Sequence, residues 1–176
     1  MFAYLKKYHN ADMVYDPSNP AEEKLAFEQK YWSSIEVGNV QGKEYLPPNM
    51  PQPQRLGFIM REKVDADHAS DTSKKRSRMG FIASLNCAPV YWILKKQTSV
   101  ESYSFGSEFI AMNKCCGYLW VLWYKLRMMG IPVECPAYIL GENQSVQENT
   151  SIPDSMLKNK IQSIPNHIIR EGASRN

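Results

Sequence analysis

The sequence predicts an α/β fold, on three observations. Two stretches alternate apolar with other residues at period two: Leu56, Phe58, Met60 and Val64, then Met79, Phe81, Ala83 and Leu85. An all-apolar run, Val90-Tyr91-Trp92-Ile93-Leu94, follows the second of them. From Ser104 to Met129 the spacing changes to steps of three and four, through Phe105, Phe109, Met112, Cys116, Leu119, Trp120, Trp123 and Leu126.

Taken in order, residues 1–55 carry weak periodicity, the breakers Asp16-Pro17 and Asn19-Pro20, and the proline-rich stretch from Leu46 to Pro53. Prolines favour extended, unpaired backbone, so this part reads as an arm followed by a linker. Its one helical segment, Ala21 to Trp32, starts after Pro20 with Glu22 and Glu23 at the positive end of the helix dipole. Residues 56–172 then read as the folded domain, and 173–176 as a frayed tail.

Within that domain the three alternating or apolar runs, joined by the polar turn Asp71 to Arg78 and by Asn86-Cys87-Ala88-Pro89, predict a three-stranded antiparallel meander. The long segment after it predicts a helix ended by Gly130 and Pro132, with Trp120 and Trp123 in the core and Gly117 packed close to the sheet. Cys135 to Leu140 predicts a fourth strand. Gln144 to Asn149 predicts a short helix, and Asp154 to Ile164 another, with Pro165 before the segment Asn166 to Gly172.

Composition narrows the function classes. A net charge of +3 leaves any polyanion to be held by local patches rather than by the whole surface. Cys87, Cys115, Cys116 and Cys135 show no C-x-x-C spacing and no paired histidines, which argues against a structural zinc or a secreted disulfide framework. The longest apolar stretch, Cys115 to Tyr124, is too short to span a bilayer, and Met1 to Lys7 lacks a signal-peptide core. These features place the protein in the cytoplasm or nucleus, without a membrane partner and not secreted.

Chemistry concentrates at Val64-Asp65-Ala66-Asp67-His68-Ala69-Ser70-Asp71, where the first strand ends in carboxylates. Glu108 falls in the first turns of the long helix, and the fourth strand is followed at once by Gly141-Glu142-Asn143-Gln144. Two divalent cations about 3.5 to 4 Å apart, as phosphodiester hydrolysis uses them, require several hard oxygen ligands in one polar pocket.

Five blocks in this order, Val64-Asp65-Ala66-Asp67-His68-Ala69, Arg76-Ser77-Arg78-Met79-Gly80-Phe81, Trp92-Ile93-Leu94-Lys95-Lys96-Gln97, Phe105-Gly106-Ser107-Glu108-Phe109-Ile110-Ala111-Met112 and Gly141-Glu142-Asn143-Gln144-Ser145-Val146, resemble the ribonuclease H domain of copia-type LTR retrotransposon polyproteins. Residues 1–55 are similar to the segment that follows the reverse transcriptase there. The resemblance implies a ribonuclease H-like fold and Mg²⁺- or Mn²⁺-dependent cleavage of RNA in an RNA–DNA hybrid, beside a reverse transcriptase domain encoded elsewhere. It also implies that Asp65, Glu108 and Glu142 are the catalytic metal ligands. Glu142 stands where the family has aspartate, and the family's final strand and helix, with a fourth aspartate, have no counterpart before Asn176. An inactive remnant acting as a hybrid-binding or structural module is the alternative expectation.

The bland reading of each residue stands beside these. Asp65 and Glu142 are also ordinary acids at strand ends, Glu108 an ordinary first-turn acid, and Asp67 and Asp71 turn and surface residues. Lys74, Lys75, Arg76 and Arg78 form a solvated basic turn that sits where a hybrid's phosphates, with Asn143 as a further contact, could be held. His68 and His167 read as hydrogen-bonded structural residues, and Cys115 and Cys116 as packing residues.

Overall fold

The computed structural model describes residues 7, 14–18, 49, 51, 57–133 and 137–152. The expected helix at Ala21 to Trp32, most of the arm and linker, Cys135, His167 and the segments beyond residue 152 lie outside the described residues. Six elements run in the order β1 (Met60–Asp67), β2 (Arg78–Leu85), β3 (Ala88–Lys96), α1 (Ser104–Met128), β4 (Tyr138–Gly141) and α2 (Gln144–Ser151). The fold is α/β, with a mixed four-stranded sheet in the order β3-β2-β1-β4.

The meander is present as read from the alternation. β1 pairs antiparallel with β2 from Met60↔Leu85 to Asp67↔Arg78, and β2 pairs antiparallel with β3. Asn86, at φ 55°, makes the tight β2–β3 turn, a conformation asparagine tolerates better than most residues. Its Oδ1 accepts from the Ile59 N–H at 2.9 Å, and its amide donates to the Pro17 carbonyl at 2.9 Å. Pro89 lies in β3, an edge strand of this sheet, where the missing N–H is tolerated. β1 begins at Met60, and before it Phe58 makes an isolated parallel bridge to Val133; Leu56 lies outside the described residues.

α1 ends as the sequence indicates. Gly130, at φ 71°, donates to the Arg127 carbonyl and Ile131 to that of Leu126, the paired bonds of a Schellman motif. Lys125 and Arg127 place positive charge in the last turn, which the helix dipole favours. One core cluster joins Val64, Met79 and Phe81 of the sheet to Phe109, Met112, Cys115 and Cys116 of α1, together with Val146 of α2. A second, at the far end of α1, joins Met60 to Leu119 and Leu126. Burying a side chain such as Phe109, which has no exposed surface, stabilises by roughly 1.5–3 kcal/mol.

Two helix positions differ from expectation. Trp120 is 41% exposed, although Trp123 does pack against the second cluster. Gly117 faces open space, and a Cβ built there would meet nothing within 4 Å. Both lie on the outer side of α1, because the apolar residues of this helix extend beyond the face that one sheet can cover. Among the described residues, no helix is long and apolar enough to cross a membrane.

Candidate metal and nucleic-acid site

The site grows out of the one parallel pairing in the sheet. β4 runs beside β1 in the register Arg61↔Tyr138, Glu62↔Ile139, Lys63↔Leu140 and Val64↔Gly141, and the ladder stops there. The next residue of β1 is Asp65 and the residue just after β4 is Glu142, so the two carboxylates follow the last paired residues of the parallel ladder at the same level. Such ends are where open α/β sheets bind ligands. Asp65 is exposed, and its Oδ1 accepts from the Ala66 N–H at 2.8 Å. Glu142 is exposed, and Asn143 after it caps α2 by accepting from the Val146 N–H at 3.1 Å.

Glu108 comes to this corner from the second turn of α1 and is half-buried. Its carboxyl is pushed up to about 7, first by burial, then by the negative charge of Asp65, with a smaller contribution from Glu142; the Ala66 N–H works in the opposite direction. Two acids far from it in sequence, Asp65 and Glu142, therefore act on Glu108 through space. A half-buried acid raised first by burial and then by like charges marks a polar corner where electrostatics, and not packing alone, set the protonation state.

The donor chemistry suits a hard cation. All three side chains offer carboxylate oxygens, and Mg²⁺ is typically held by one or two carboxylates, with water and substrate phosphate completing its shell. Asp65 and Glu108 meet that requirement in donor type. Among the described residues, no group of three or more His, Cys, Asp or Glu side chains is arranged to hold a metal ion, so Glu142 belongs to the field around Glu108 and not to a formed three-ligand cage.

The basic run surrounds the same end of the sheet. Lys74, Lys75 and Arg78 are exposed and Arg76 is half-buried, in a turn closed by the Lys75 N–H to the Asp71 carbonyl and the Asp71 N–H to the Arg76 carbonyl. Asp71 is the anchor of that turn rather than a surface residue. It is buried, its Oδ2 lies 2.8 Å from the Lys96 Nζ, and its Oδ1 accepts from the Ser73 hydroxyl and N–H. Lys96 first, and then Ser73, hold its carboxyl far below the usual carboxylate range. Asp67 is exposed at the end of β1.

Sequence reasoning missed Glu62. It is 1% exposed on the core face of β1, where its Oε2 accepts from the Cys115 thiol at 2.6 Å, while Oε1 has no partner among the described residues. Burial pushes its carboxyl up to about 7, against the lowering effect of the thiol. The signal was present, because Glu62 falls between Met60 and Val64 in the inward-facing alternation. The described cysteines, Cys87, Cys115 and Cys116, are free thiols. No family model, curated protein or solved structure matches the chain.

Proposed function

We propose that this chain is a ribonuclease H-like domain, of the kind found in copia-type retroelements, and that it cleaves the RNA strand of RNA–DNA hybrids with Mg²⁺ or Mn²⁺. The observation that carries the proposal is that Asp65 of β1 and Glu142, just after β4, both act on the half-buried carboxyl of Glu108 in α1.

In this reading Asp65 and Glu108 would hold the cation, and Glu142 adds negative charge beside them. A divalent cation held there would supply water activation and charge stabilisation at the scissile phosphate. Lys74, Lys75, Arg76 and Arg78 hold the backbone of the hybrid by its phosphates, in an interaction that weakens as salt rises. Asn143 serves first as the α2 cap, so any hybrid contact it makes runs through its free amide N–H groups. A separately encoded reverse transcriptase would supply the hybrid.

The second reading is an inactive remnant that binds hybrid without cutting it. What favours it is that no three of the acidic, histidine or cysteine side chains among the described residues form a metal group. A hybrid with its two strands differently labelled, incubated with the full chain and Mg²⁺ or Mn²⁺, separates the two. RNA-strand cutting that disappears in Asp65→Asn supports the nuclease. Binding with no cutting by the unaltered chain supports the remnant.

A further inference from the structure

Four chain segments meet in a closed ring of polar contacts beneath the candidate site. Gln97, just after β3, donates from its backbone N–H to the Ser77 carbonyl at 2.8 Å. The Ser77 hydroxyl, just before β2, accepts at 3.0 Å from the N–H of Ala69, just past the end of β1. Beside Ala69, the His68 Nδ1 lies 3.3 Å from the Ser107 hydroxyl in the first turn of α1. The Gln97 side-chain amide closes the ring by donating to the Ser107 carbonyl at 2.8 Å. Ser77, Gln97 and Ser107 are all at most 2% exposed.

This ring is an unusual use of buried space. The Gln97 Oε1 is buried with no partner among the described residues, and an orphaned acceptor of that kind is destabilising. An apolar side chain of the same size would avoid the cost. What the ring provides is position: Ser107 is the residue before Glu108, and His68 follows Asp65 by three. The helix that carries one acid is thereby fastened to the loop that follows the other, and Glu108 is held against Asp65 and the Ala66 N–H despite the repulsion between the two carboxylates.

We infer that Gln97 is a positioning residue, which through Ser107 sets Glu108 opposite Asp65 for divalent-cation binding; the inference rests on the metal reading proposed above. Gln97 touches neither cation nor substrate. Supporting contacts of this type are worth about 10- to 100-fold in metal affinity.

The test uses the full chain and Mn²⁺ alone as probe. Mn²⁺ affinity is read by water-proton relaxation, and amide hydrogen exchange is followed at Glu108 to Ile110 in metal-free protein. Gln97→Met keeps the volume and removes both the donor and the orphaned acceptor, so the fold is retained. Ser107→Ala cuts the ring at its next member, and Leu119→Ala, in the second core cluster, is the control for general loss of stability. The expected result is at least tenfold weaker Mn²⁺ binding in Gln97→Met, with faster exchange confined to the first turns of α1. Ser107→Ala changes in the same direction, and Leu119→Ala keeps its Mn²⁺ affinity although its thermal midpoint falls. Wild-type binding that Gln97→Met leaves intact, with unchanged local exchange, overturns the positioning role alone. Failure of the unaltered chain to bind Mn²⁺ overturns the metal reading and, with it, the purpose assigned to Gln97.

Discussion

Replacing Glu62 by glutamine tests the energetics of the core more sharply than any large-to-small substitution. The side chain keeps its shape and can still meet the Cys115 thiol, but it cannot ionise. In the folded protein burial holds the Glu62 carboxyl up at about 7, against 4.5 when exposed to solvent. The folded state therefore retains this proton over a pH range in which the unfolded chain has lost it. The stability tied to the neutral acid is fully present below pH 4.5 and is lost as pH rises through 7. At about 1.4 kcal/mol per pH unit, the loss across that window amounts to roughly 3 kcal/mol. Urea denaturation of both proteins at half-unit steps from pH 4 to 8 gives the difference curve. Glu108, raised for its own reasons, contributes the same sign to both proteins and cancels. Glu62→Gln should gain on the unaltered protein steadily from pH 4.5 to 7 and hold a constant advantage above. A difference curve that is flat across that window would refute the buried-acid account.

Two further substitutions probe local structure. Gly117→Ala should stabilise the protein by about 0.5–1 kcal/mol, because α1 gains helix propensity and the added methyl meets nothing; a drop in thermal midpoint would contradict the open space seen there. Asn143→Ala removes the α2 cap and should cost about 1 kcal/mol in denaturant unfolding, with local loss of exchange protection in Gln144 to Gln147.

Much of the fold was legible because it rests on period. The alternations of β1 and β2 and the three-four spacing of α1 each bury one face, and the stop at Gly130 follows from its left-handed backbone. The exceptions are residues for which local pattern or residue type points away from the packing. Trp120 sits on the three-four stripe that predicts a core position, yet it lies beyond the face that the sheet covers. Glu62 carries a charge that argues for the surface, yet its place in the alternation puts it inside. Asp71 looked like a turn acid and is one, but its burial depends on Lys96, 25 residues away, and no local pattern encodes that pairing.

The site divides in the same way. That β1 and β4 each deliver an acid at the carboxyl end was readable from the order of runs and breaks. Their alignment was not, since register is fixed by tertiary packing and not by either strand alone. The ring through Gln97, Ser77, His68 and Ser107 was likewise invisible, because each of its contacts joins segments apart in the chain.

The central claim is that Asp65, Glu108 and Glu142 form one electrostatic unit that a divalent cation can occupy. Its most direct test is the titration of the Glu108 carboxyl, followed by carbon-13 NMR in the unaltered protein, in Asp65→Asn, and with Mg²⁺ added. The account predicts a midpoint near 7 in the unaltered protein and a lower one in Asp65→Asn, where the largest neighbouring charge is gone. Mg²⁺ should also lower it, since the cation competes with the proton. A midpoint in the ordinary glutamate range, unmoved by the substitution and by Mg²⁺, would contradict it.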